Sequence, residues 1–122
     1  MIKLVFFTYK KPGLSDEEFH HHWRTRHAEV IRKHAQALGI VKYHQTHAIV
    51  GDPLNQPSDL FPERYDGIAE IWFKDRAHLG LWFDNSTPES KAAGKEIRED
   101  ERKFVDRTRA GWIVADVLPI ID

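Results

Sequence analysis

The sequence predicts an α+β fold of element order βαββαβ. Three observations carry the prediction: four short segments of strand composition, two helical segments that each open on a capping box, and turn residues between them. One strand, two strands and one strand are separated by helix, the order of a split βαβ, ferredoxin-like sheet. In that architecture the helices cover one face of a four-stranded antiparallel sheet. A chain of 122 residues is one domain's worth, so 1–122 is read as a single domain.

Residues 2–9 are rich in β-branched and aromatic types, and Pro12-Gly13 stops them. Ser15 stands three before Glu18, a capping box, and the helix it opens runs to Leu38 with Gly39 after it. Ile40 to Val50 reads as the second strand, closed by Gly51-Asp52-Pro53. Residues 51–66 form a long loop, and long loops in small domains are often functional or mobile. Gly67 to Phe73 is the third strand. Asp75 caps a short helix that carries Leu79, Trp82 and Phe83 at helical spacing. Ser86-Thr87-Pro88-Glu89 is a second capping box, and its helix continues to about Val105. Gly111 to Ile121 is the last strand, bent at Pro119.

An antiparallel sheet wetted on one side alternates apolar and polar residues. Here both sides are apolar: Leu4 and Phe6 against Val5 and Phe7, Ile68 and Trp72 against Ala69, Ile71 and Phe73, and Trp112 and Val114 against Ile113 and Ala115. Two helices cover one face. The expected cover for the other is a second copy, giving a homodimer through the open sheet face. A loop or the C-terminal tail is the alternative cover.

The 18 basic and 19 acidic residues give a net charge of −1, which offers no bulk attraction to nucleic acid or anionic membrane. Without cysteine there is no disulfide scaffold, thiolate zinc site or cysteine nucleophile. The start lacks the long apolar region of a signal peptide, and no run approaches a membrane span of about 20 residues, so a cytoplasmic protein is expected. Eight His and four Trp are the unusual counts.

On the first helix Phe19, Trp23, Val30 and Leu38 form an apolar stripe. His27 and His34 fall on or beside it, with His20 at its edge. His20-His21-His22 point around the helix and read as a solvated face, and His34 as a boundary residue. His27, one turn after Trp23, faces the sheet. Tyr43, Gln45 and His47 share one face of the second strand. Turned to the helices, they line a pocket with His27 and Trp23; turned to solvent, they are an ordinary polar face. Imidazole titrates near neutral pH and suits proton transfer, and a phenol can donate to a developing oxyanion. Asp66 lies at the loop–strand junction, Glu70 is mid-strand, and Glu101 and Phe104 share a helix face with Ile97, Asp100 at its margin. An acid there could orient an inward histidine. No phosphate loop, dinucleotide fingerprint, nucleophile elbow or compact metal spacing is present.

Leu4-Val5-Phe6-Phe7, then Lys11-Pro12-Gly13-Leu14-Ser15 with Phe19, Trp23-Arg24 and His27-Ala28, resembles the opening of the EthD family. Tyr43-His44-Gln45-Thr46-His47 is similar to its second-strand motif, with Thr46 where Asn is more usual. Tyr65-Asp66-Gly67-Ile68-Ala69-Glu70-Ile71-Trp72-Phe73 is similar to its third strand, and Asp100-Glu101 with Phe104 and Asp106 to its last helix. The resemblance runs from residue 2 to about 106. It implies a dimeric α+β barrel with a pocket between helices and sheet, and motif positions His27, Tyr43, His47, Asp66 and Asp100. Proteins of this kind occur in alkyl-ether degradation and aromatic polyketide pathways, where some resemble dehydratases or decarboxylases.

The expected function is therefore a small, cofactor-independent enzyme acting by acid–base chemistry on an aromatic, polyketide-like or lactone carbonyl compound. His27 would be the acid/base. Tyr43 or His47 would polarise the carbonyl, Asp66 or Asp100 would orient a histidine, and Trp23, Trp72 and Phe104 would form the apolar wall. The alternatives are a haem-binding or monooxygenase-type barrel, for which a Soret shift on adding haemin is the test, and a non-catalytic ligand-binding accessory protein.

Overall fold

In the computed structural model, which describes residues 2–122, the four strand-like segments form one sheet. β1 (Ile2–Thr8), β2 (Ile40–His47), β3 (Gly67–Phe73) and β4 (Gly111–Ala115) lie in the order β2-β3-β1-β4, each neighbouring pair antiparallel. This is a ferredoxin-like α+β sheet. The two-residue period sorts the side chains. Leu4, Phe6, Tyr43, Ala69, Ile71, Phe73 and Trp112 point to the helices, while Lys3, Val5, Phe7, Ile68, Glu70, Trp72 and Ile113 point to the open face.

Ser15 caps α1 (Asp16–His22), and both bonds of its capping box with Glu18 are made. The helix does not run to Leu38 as a regular α-helix. It passes through a π-helical turn at Trp23–His27, where the Ala28 N–H reaches back to the Trp23 carbonyl, and continues as α2 (Ala28–Leu38). An α-helix advances about 100° per residue, so residues four apart drift around it. The wider turn advances less, and Phe19, Trp23, His27 and Ile31 all stay buried. Gly39 ends α2 at φ 66°, and a Cβ there would collide with the His78 ring.

Asp75 caps α3 (Arg76–Asp84) as its sequence predicts. α4 (Pro88–Glu101) is capped by Thr87 paired with Ser90, rather than by Ser86 with Glu89, and Pro88 sits in its first turn. It ends before Val105 because the chain there turns to pair with the continuation of β1. The Lys11 N–H donates to the Phe104 carbonyl at 2.8 Å, and Val105 bridges Lys10. β4 ends at Ala115, not Ile121. Its register sets Ala115 opposite Lys3, near the start of β1, so residues 116–122 run out of partner strand. β2 likewise stops at His47, and within 51–66 the regular element is one 3-10 turn, Pro53–Asn55.

Val30, Ile31, Leu38, Ala93 and Ile97 pack α2 on α4, and Leu4, Ile71, Phe73 and Leu79 pack α3 on the sheet. The edge strand β4 is left uncovered, with Trp112 55% and Ile113 50% exposed. On the open face Lys3 pairs with Glu70, and Lys3 and Lys42 sit over the Trp72 ring at 4.7 and 4.6 Å. No helix among the described residues is long and apolar enough to cross a membrane.

Candidate active site

Between the helices and the sheet lies a cavity of about 280 Å³. Phe6, Tyr43, Ala69 and Ile71 form its floor, and Trp23, Ile31, Ile97 and Phe104 its walls. Trp82, Phe83 and Trp112 stand around it with Arg98 and Arg107, and His27 and Glu101 reach into it. Local rules place these groups. Ile97 and Glu101 are four apart on α4 and share a face, and Phe104 follows in the turn that ends the helix. The π turn aligns Trp23 with His27.

His27 is buried, and its Nδ1–H donates to Asp100 Oδ2 at 2.8 Å. His22 Nε2–H donates to the other oxygen, Oδ1, at 3.0 Å, and Arg26 approaches the same atom at 3.9 Å. Burial alone would raise the Asp100 carboxyl. The hydrogen bonds from His27 and His22 outweigh burial and hold it below the ordinary carboxylate range. Asp100 is thus an acceptor at both oxygens. The proton of neutral His27 is fixed on Nδ1, and Nε2 keeps its lone pair. The His27 and His22 rings both pack on Phe104, at 4.9 and 4.8 Å.

Tyr43 is the second polar group of the cavity. Gln45 Nε2–H donates to the Trp23 carbonyl at 2.7 Å and to the Tyr43 hydroxyl at 3.1 Å. The phenol oxygen is therefore an acceptor from Gln45, and its own hydrogen is free for a ligand. Burial pushes the Tyr43 phenol up to about 12, against lowering hydrogen bonds from Gln45 and Trp23. It remains a neutral donor. Glu101 is the third group. Burial raises its carboxyl, which the charges of His27, Arg107 and Arg98 offset in part, so it is biased toward the proton-carrying form.

His47 stands outside this set, although its face of β2 does meet the helices. It does not line the cavity. Its ring packs on Trp23 at 4.1 Å, and its Nε2–H donates to Gln45 Oε1 at 2.7 Å. The remaining lone pair at Nδ1 faces His20 Nδ1 at 2.6 Å, so His20 donates there. Burial first, then the charges of His20 and Arg24, lower His47 to about 4.

Three further expectations are corrected. Trp72 does not wall the pocket: strand alternation turns it to the open face, and Trp112 and Trp82 take that role. Asp66 orients no cavity histidine: its Oδ2 accepts the Lys10 N–H at 2.7 Å, pinning the end of β1 to the start of β3. His20 and His22 do not belong to a solvated face: His20 is buried against His47, and His22 holds Asp100. His34 is a boundary residue as expected, paired with Glu96. The structure unites His27, Tyr43, Asp100, Trp23 and Phe104. Glu101 was expected at most to orient a histidine, and its spacing from Ile97 and Phe104 already signalled an inward acid; Arg98 and Arg107 carried no such signal. Among the described residues no three His, Asp or Glu side chains converge as a metal site.

Comparison with known proteins bears on the family and the fold. Over 80 residues the chain is 32% identical to a dehydratase, aurZ, of Gibberella zeae, covering 62% of this chain and 53% of that protein. The chain thus spans about half the length of the curated relative it matches. Among solved structures, an ethyl tert-butyl ether degradation (EthD) family protein of Bacillus halodurans superposes with a TM-score of 0.61 at 23% identity, covering 97% of this chain and 100% of that one. A dimeric protein of unknown function and ferredoxin-like fold from Bacteroides fragilis gives 0.59 at 14% identity, covering 95% of each. The model of the EthD domain matches residues 11–108. With most of its length accounted for by that domain, the chain belongs to the EthD family.

Proposed function

We propose that the cavity is the active site of a dehydratase acting on a β-hydroxycarbonyl compound with an aromatic or polyketide-like body. The observation that carries the reading is the buried Asp100–His27 pair, which leaves His27 Nε2 as an acceptor in a mainly apolar cavity that Tyr43 and Glu101 also line. The name of the aurZ relative supports it.

In this cycle His27 Nε2 takes the proton α to the carbonyl, and Asp100 stabilises the imidazolium that forms. Electrons move onto the carbonyl oxygen, which the Tyr43 hydroxyl stabilises as an enolate. The enolate then re-forms the carbonyl and expels the β-hydroxyl, which leaves as water with the Glu101 proton. His27 has gained one proton and Glu101 has lost one, and exchange with solvent restores both. Each step uses a side chain of this chain, so no cofactor is proposed. Isomerisation, cyclisation and decarboxylation would use the same enolate-stabilising pair. Elimination is favoured because Glu101 supplies the proton a leaving hydroxyl needs.

The proposal includes a homodimer formed through the open face of Val5, Phe7, Ile68 and Ile113, and a cytoplasmic location. The dimeric description of the Bacteroides fragilis neighbour supports the former.

The aldol adduct of naphthaldehyde and acetone tests the reaction, since its dehydration product is a conjugated enone seen by absorbance. Wild type should form the enone, and His27→Ala should lower the rate by about 10²–10⁴. Undiminished turnover in His27→Ala refutes the role given to His27.

A further inference from the structure

Two guanidiniums beside the cavity have no part in the elimination. Arg98 on α4 and Arg107 before β4 both line it. Arg26, Arg32, Arg64 and Arg109 have carboxylate partners. Arg98 is held by a neutral group instead. Asn85, the left-handed C-cap of α3 at φ 51°, turns its amide nitrogen to the Ser90 carbonyl at 2.9 Å. Its oxygen then accepts from Arg98 Nη1 at 3.3 Å. Gly94 lies one turn earlier, and a Cβ there would strike both the Asn85 amide and the Arg98 guanidinium. The guanidinium is therefore positioned without being neutralised.

The acid next to Arg107 is engaged elsewhere: Asp106 accepts from the Thr108 N–H at 3.0 Å and from its hydroxyl at 2.6 Å. Glu101 is the inward acid near both arginines, and burial raises its carboxyl. A planar fork of N–H donors matches a carboxylate, and Trp82, packed against Phe6 and Phe73, offers an apolar wall to the body of such a ligand.

We propose that Arg98 and Arg107 bind a carboxylate of the ligand, so that the substrate class is an aromatic or polyketide-like acid whose apolar body lies against Trp82 and Trp112. This rests on reading the cavity as the substrate site.

The test titrates naphthoate and naphthamide, alike in shape and different in charge, against tryptophan fluorescence. Wild type should bind naphthoate at least about tenfold more tightly. Arg98→Gln and Arg107→Gln should each remove most of that preference, while naphthamide affinity changes by less than about twofold. Arg107→Gln breaks no ion pair among the described residues, so it carries the test if Arg98→Gln unfolds. Equal affinity for both probes, or no saturable naphthoate binding at millimolar concentration, overturns the proposal. His27→Ala titrated in parallel separates the two readings. A failed dehydratase reading leaves the naphthoate preference intact, and a failed arginine reading leaves His27-dependent turnover intact.

Discussion

Replacing Asp100 by Asn keeps the shape of the side chain and removes two properties, its charge and one of its two acceptors. In the wild type both oxygens accept, one from His27 at 2.8 Å and one from His22 at 3.0 Å. An amide accepts at its oxygen alone and presents N–H to the other ring. If that ring is His27, its Nδ1 must become the acceptor, and its proton moves to Nε2, the atom that should take the substrate proton. If it is His22, His27 keeps its tautomer and loses the anion that stabilises its charged form. Either way the rate should fall by about 10²–10⁴, the usual contribution of general base catalysis. Charge-assisted hydrogen bonds are worth about 1.5–3 kcal/mol each. Losing one at a residue only 3% exposed should lower the melting temperature by roughly 5–10 °C. Turnover and thermal unfolding measure the two effects. Nitrogen-15 NMR of the imidazoles reads the tautomer directly, without substrate. An Asp100→Asn protein with wild-type turnover and unchanged His27 nitrogen shifts would refute the assignment of Asp100 as the orienting group.

Tyr43→Phe should reduce kcat by about 10²–10³ if its hydroxyl stabilises the enolate, with stability changed by about 1 kcal/mol; a KM effect without a kcat effect would remove that role. The fold should lose stability on acidification. The folded-state values of His47, about 4, and of His20 lie below the ordinary histidine value, so the unfolded chain binds more protons as pH falls from about 6.5 toward 4. Asp100 adds to the loss at lower pH, since its folded value is also depressed. Melting temperature against pH should show the decline, and His47→Gln should flatten its upper part; a parallel curve for the variant would exclude His47 as the source. Gly67→Ala should destabilise by about 1–3 kcal/mol, because a Cβ there runs into the Trp23 ring and comes within 2.7 Å of the Thr46 carbonyl; chemical denaturation gives the value. Light scattering at micromolar concentration should find a dimer, and a Phe7→Lys change on the open face should give monomer; a wild-type monomer sinks the dimer.

Element order was legible because its signals are local. Ser15 and Glu18 sit three residues apart, Gly39 ends a helix in a conformation few other residues adopt, and β3 spans the predicted Gly67–Phe73. Strand ends were less legible, since they depend on a partner. The C-terminal apolar run looks like strand to Ile121, but pairing ends where β1 does. The site was partly legible. His27 follows from its place after Trp23; alternation grouped Tyr43 with Gln45 and His47, but did not decide whether that face meets the helices or solvent. Trp72 shares its strand face with Ile68 and Glu70, opposite Ala69, Ile71 and Phe73, and the charge of Glu70 was the one local sign that this face turns away from the helices.

By itself the sequence determined the α+β class, the caps and turns, and a set of inward-capable groups, because each depends on residues within a turn or a strand. Tertiary structure decided which groups meet. Asp100 and Glu101 are adjacent in sequence yet face different neighbours, one holding His27 and the other entering the cavity. That division depends on how α4 is rotated against a π-widened turn 73 residues away. Likewise His20 became a buried partner of His47 through the packing of α1 on β2. Such pairings are set by packing between distant segments, and residue spacing along the chain does not encode them.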